Sequence, residues 1–150
     1  MPVAPPVLPV EDVVDQAVGA TGALALGSGA EPAMVAAVNR ARVARGLRPL
    51  RGSRSLNRSA HRYAAWMLRR DYFGHLSRIR ASSRFRRLGE TLALHFGRRA
   101  RVRRTVRRWL RSPAHRSLLL SGRFRALGAG RAVGSYRGRR ATTWVLHLGA

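Results

Sequence analysis

The sequence predicts an α+β fold, with helices filling most of the chain and a strand pair closing it. Apolar residues recur at three- and four-residue spacing in three separate segments between positions 32 and 111. After position 120 the period shortens, and two β-prone runs flank a Gly-rich turn. Strand and helix patterns do not alternate, so the two kinds of element are segregated rather than interleaved as βαβ units. At 150 residues the chain can build one domain with a real core.

Residues 1–31 read as a flexible leader rich in Pro, Gly, Ala and Val, with a short helical turn around Asp12–Val18. The apolar stretch Ala17–Leu26 follows acids rather than arginines, so no standard secretory signal is visible. The folded domain is placed at 32–150. Glu31-Pro32 opens a first helix, Pro32–Arg45, whose apolar face is Met34, Val38 and Ala41, with Arg40, Arg42 and Arg45 largely outside it. Gly46 ends that helix, and Leu47 and Leu50 pack behind it in a short extended link. A second helix, Ser55–Arg70, carries the stripe Leu56, Ala60, Tyr63 and Met67. His61 and Trp66 lie off the stripe, His61 in solvent and Trp66 on a second packing surface.

Phe85 and Leu88 would anchor a short helix within residues 76–88, and Gly89–Gly97 reads as a strand or extended link. Arg98–Arg111 is a third helix with Val102, Val106 and Trp109 inward. Ser112-Pro113 marks a further helix start, because a serine hydroxyl can cap free amides and proline suits the first helical position. It sets His115 in the first turn, ahead of the apolar run Leu118–Leu120. The closing strands are Phe124–Val133 and Thr142–Leu148, with the turn at Gly134–Gly138.

Charge narrows the function. All thirty basic residues are arginines between Arg40 and Arg140, and beyond residue 31 they face only two acids, Asp71 and Glu90, for a net +28. Such a body attracts polyanions, whether nucleic acid, anionic lipid or an envelope polymer. The densest ridge is on the third helix, at Arg103, Arg104, Arg107 and Arg108, where like charges on adjacent turns oppose each other. A merely solvated arginine face is the competing reading. Codon usage in a GC-rich genome would explain arginine in place of lysine, but not the missing acids. Without cysteine there are no disulfides, zinc–thiolate sites or thiol nucleophiles, and no apolar run reaches the about 18 residues of a membrane span.

The separated markers resemble the CAP superfamily of cysteine-rich secretory, antigen 5 and pathogenesis-related 1 proteins, in its cysteine-free bacterial branch. They are Val38-Asn39-Arg40-Ala41-Arg42, Gly46-Leu47-Arg48-Pro49-Leu50, Tyr72-Phe73-Gly74-His75, Gly89-Glu90-Thr91, Ser112-Pro113-Ala114-His115-Arg116, Leu127-Gly128-Ala129-Gly130 and Trp144 with Gly149. The resemblance spans roughly residues 33–149. It implies an α-β-α sandwich with a three- or four-stranded antiparallel sheet between helices, in an exported protein. It also implies a central cleft lined by His75, Glu90 and His115. The second family glutamate, expected near Ser112, is absent, and Thr91, Val145 and Leu146 stand where the family carries polar residues, which implies a less polar cleft.

Two imidazoles and a carboxylate form an open ligand set of the kind zinc accepts. Calcium is the other candidate ion. Equally, Glu90 can tie the histidines together as a buried polar brace. The leading expectation is a monomeric, non-enzymatic protein that takes a small ligand or divalent metal in the cleft and an anionic envelope polymer or anionic lipid on its arginines. The competing expectations are a metal- or Glu-assisted hydrolase using His75, Glu90 and His115, and a non-specific nucleic-acid binder on the same scaffold. Ser112, three residues before His115, is better explained as a cap than as a nucleophile.

Overall fold

The structure, a computed structural model, describes residues 29–150. The expected leader, its helical turn and the Ala17–Leu26 stretch fall outside those residues, apart from the last three positions of the leader. The elements run α1 (Ala30–Val43), β1 (Arg51–Gly52), α2 (Arg54–Arg69), β2 (Leu88–Phe96), α3 (Val102–Arg111), α4 (Pro113–Leu119), β3 (Ala126–Tyr136) and β4 (Arg139–Gly149). The fold is α+β, with one sheet in the order β1-β3-β4-β2.

That sheet corrects one expectation. Its three long strands are antiparallel, but β1 runs parallel to β3, pairing Arg51 with Ala126 and Gly52 with Leu127. The link after α1 reaches the free edge of β3 just before α2 begins, so only two residues can join and the sheet is mixed. The closing hairpin turns at Arg137-Gly138, both in the left-handed region, with φ of 48° and 74°. This is the geometry of a tight two-residue hairpin, so both strands extend further towards the turn than their apolar runs do.

The sheet is covered on both faces. On one, α1, α3 and α4 bury Met34, Val38, Val106, Trp109 and Leu119 against Leu127, Trp144, Leu146 and Leu148. On the other, α2 buries Ala60, Tyr63, Ala64 and Met67 against Leu92 and Val145, which is its predicted stripe apart from Leu56. The contact of α2 with β3 is unusually close. A Cβ on Gly128 would lie 2.1 Å from the Leu56 carbonyl carbon, and one on Gly130 2.2 Å from the His61 nitrogen. Glycine is required there because the helix backbone rests on the strand itself.

Two local expectations change. No helix forms within residues 76–88; Phe85 instead lies against Gly149, and the Arg86 amide donates to the Ala150 carbonyl. Arg42 is not on an outer face but is 1% exposed. Its guanidinium donates to the carbonyls of Arg48, Leu119 and Ser121 at 2.7–2.9 Å, closing the C-terminal end of α4. Trp66 packs as expected on a second surface, stacked on Tyr63 and edge-on to Tyr72 and 39% exposed, and His61 is exposed as expected.

Candidate functional site

Two of the sequence-predicted residues, His75 and Glu90, meet at β2, the edge strand. Glu90 is paired across the sheet with His147 of β4. Because side chains alternate along a strand, Glu90 projects to the α2 side while Gly89 faces Leu118 and Phe124. The Glu90 side chain is 5% exposed and accepts three hydrogen bonds. His75 Nδ1 meets Oε1 at 2.8 Å and the Leu76 amide meets the same oxygen at 3.0 Å. His147 Nε2 meets Oε2 at 2.7 Å.

His147 is a site residue that the sequence reading misses. It is fully buried, and its Nδ1 contacts Ser59 Oγ on α2 at 2.7 Å, while Ser59 reaches the Leu56 carbonyl at 3.1 Å. The result is a continuous polar chain, Ser59–His147–Glu90–His75, running from α2 through the sheet to the loop after it. Burial alone would raise the Glu90 pKa, but the hydrogen bonds from His147 and His75 outweigh it and hold the carboxyl below its ordinary value. Glu90 is therefore an anion fully engaged as an acceptor, which suits a brace and makes it a poor proton acceptor for catalysis.

His115 lies in the first turn of α4, as expected. It is 5% exposed, and its Nδ1 bonds Ser112 Oγ at 2.8 Å. That hydroxyl is consequently not a cap of α4; the Ser112 carbonyl, not its side chain, receives the first helical amide, from Arg116. Burial lowers the His115 pKa, and the electrostatic interaction with nearby His75 lowers it further. His75, Glu90 and His115 thus share a neighbourhood, but the hydrogen-bonded pair to Glu90 is His75 with His147.

Both Glu90 oxygens are taken by N–H groups, and among the described residues no group of three or more histidine or acidic side chains is placed to hold an ion. Thr91, Val145 and Leu146, expected to make the cleft less polar, are fully buried, Val145 among the α2 residues Ala60, Tyr63 and Met67.

The arginine ridge divides over two sides of α3. Arg103 and Arg107 are exposed and, with Arg111, Arg116 and the α1-side residues Arg40 and Arg45, rim an open groove of about 410 Å³. Its floor includes Ala37, Val106 and Leu110. Arg104 and Arg108 are half-buried on the other side, beside His95 and Thr105.

The chain matches the model of the CAP family, described as the cysteine-rich secretory protein family, over residues 35–148. Its fold is similar to that of an outer surface protein from Borrelia burgdorferi, at TM-score 0.65 and 20% identity over 78% of this chain and 89% of that one. It is also similar to an extracellular protein containing an SCP domain from Bacillus anthracis, at TM-score 0.56 and 22% identity over 77% of this chain and 40% of that one. No curated protein matches the chain.

Proposed function

Because this chain belongs to the cysteine-rich secretory (CAP) protein family, we propose that it is an exported, non-enzymatic CAP domain that holds an anionic envelope polymer on its arginine surface. The observation that carries this reading is the groove between α1, α3 and α4, rimmed by six arginines and floored by apolar side chains. Arginine forks pair bidentately with phosphate oxygens, so a phosphate-bearing polymer is the favoured partner. The outer-surface and extracellular descriptions of the two similar proteins support the placement outside the cell. Among the described residues no helix is long and apolar enough to cross a membrane.

In this reading the His75–Glu90–His147 assembly is a brace that fixes the loop after α2 onto the sheet. Hydrolysis is the second reading, supported by the partial exposure of His75, at 31% of its side chain; its weak point is that both Glu90 oxygens are already engaged by N–H donors. Non-specific nucleic-acid binding is the third, supported by charge alone.

Binding of linear polyphosphate, measured over a range of salt concentrations, tests the proposal. Neutralising Arg103, Arg107 and Arg111 to glutamine should weaken binding and reduce the slope of log K against log salt by about one for each lost phosphate contact. An unchanged slope removes the groove from the interface. Duplex DNA bound more tightly than polyphosphate at equal charge would favour the third reading.

A further inference from the structure

A second pocket, of about 440 Å³, opens on the opposite face of the molecule from the groove, along the outer side of α2. Tyr63 and Trp66 form an aromatic wall, and Arg62, Arg69, Arg78 and Arg80 line it as well. Its volume is in the range of small-ligand sites.

Two features of this wall are costly unless something binds. Trp66 stacks on Tyr63 with centroids 5.7 Å apart and planes at 21°, and Tyr72 meets it edge-on. Yet Trp66 is 39% exposed, whereas Trp109 and Trp144 are completely buried. The stack is thus fixed in place with ring surface left open. Moreover, all four arginines are exposed and none has a hydrogen-bond or ion-pair partner among the described residues. Like charges gathered around one pocket repel each other, and an anion with several oxygens relieves this while filling the guanidinium donors.

Inside, the pocket ends at Ser59 and Leu76. The Ser59 hydroxyl is held by His147, and the Leu76 amide by Glu90. The inner end of the pocket is thus tied, through the Ser59 hydroxyl and the Leu76 amide, to His147 and Glu90 behind it. A stacking surface with a multivalent cationic mouth selects for two properties in one molecule, a planar ring and a phosphate.

We propose that this pocket binds a small aromatic phosphate, a planar ring system carrying a phosphate group, as in a nucleoside monophosphate. The ring extends the Tyr63–Trp66 stack and the phosphate sits among Arg62, Arg69, Arg78 and Arg80. The site is separate from the polymer groove and stands or falls without it.

Tryptophan fluorescence tests this directly, since Trp66 is the exposed indole. The full chain is titrated with adenosine 5′-monophosphate, adenosine and inorganic phosphate at about 0.15 M salt, where diffuse charge effects are screened. The expected result is saturable quenching by the monophosphate at roughly tenfold lower concentration than by either fragment. The double substitution Arg78→Gln with Arg80→Gln should raise the half-saturation point about tenfold, while Arg123→Gln, on a distant exposed turn, should not move it. Calorimetry on Trp66→Leu provides a readout independent of the reporter, and its affinity should fall as well. Equal quenching by the monophosphate and adenosine, or a response unchanged in the arginine double variant, overturns the proposal.

Discussion

Glu90→Gln is the substitution that most directly tests the brace. Glutamine is nearly isosteric and keeps one oxygen, which can stay with His75 Nδ1 and the Leu76 amide. Its amide nitrogen then faces His147 Nε2, so two donors meet unless His147 moves its proton to Nδ1. Ser59 can accept that proton's hydrogen bond because it also lies 3.1 Å from the Leu56 carbonyl, to which it can donate. The fold should therefore survive, with three charge-assisted hydrogen bonds replaced by neutral ones. Hydrogen bonds to a charged group are worth about 1.5–3 kcal/mol and neutral ones about 0.5–1.5, so at about 1 kcal/mol for each bond the loss is about 3 kcal/mol. Glu90→Ala strands three donors instead, at about 1–3 kcal/mol each.

Thermal unfolding reads both, with Tm falling about 12 °C for the glutamine variant and further for the alanine variant, at about 4 °C per kcal/mol in a domain of this size. Acidification supplies the decisive control. The folded-state pKa of Glu90 is depressed, so its stabilisation is complete above about pH 4.3 and is lost as pH falls through the folded value. The difference between wild type and Glu90→Gln should be full at neutral pH and shrink in acid, as protonated glutamic acid comes to resemble glutamine. Equal Tm values at neutral pH, or a difference undiminished in acid, would refute the reasoning.

Two further outcomes are expected. Gly130→Ala places a methyl group 2.2 Å from the α2 backbone and should cost about 1–3 kcal/mol or more in denaturant unfolding, whereas Gly52→Ala, with nothing within 4 Å, should be close to neutral; similar losses at both would contradict the close packing of α2 on β3. His95 and His115 both have pKa values lowered chiefly by burial, so the unfolded chain binds more protons and stability should decline as pH drops below about 6.5. His115→Gln should flatten that decline when stability is followed from neutral pH into mild acid, and an identical slope in the variant would remove His115 as a contributor.

Much of the fold is legible in the sequence because its signals are local. The α2 stripe, the serine–proline start of α4 and the change of period before β3 each lie within a few residues of what they specify. Arg42 carries a local signal that points the other way from its charge: Met34, Val38 and Arg42 are spaced four apart, so the arginine continues the buried stripe. Charge argues for the surface, and the carbonyls that make burial tolerable include those of Leu119 and Ser121, nearly eighty residues away, beside the nearer Arg48. The site is legible in part. His75 and Glu90 are marked by their motifs, but His147 depends on register. It stands opposite Glu90 only once β2 and β4 are aligned, and periodicity within either strand does not report that alignment. The one available hint is a histidine inside an otherwise apolar strand, which needs a polar partner if buried. Ser112 is misread by sequence reasoning because a serine before a proline looks like a side-chain cap, whereas its hydroxyl is committed to the His115 imidazole.

Arg42 also bears on the uniform use of arginine in this chain. Genome composition acts on all thirty positions alike, but three-dimensional structure does not. At exposed positions such as Arg123, a lysine would keep the charge and solubility at little cost. Arg42 spreads Nε and Nη1 over three carbonyls from two distant segments, a span that a single ammonium on a flexible stem does not reproduce. Replacing every arginine with lysine one position at a time would thus separate nucleotide bias from architecture, with position 42 expected among the few that a lysine cannot fill.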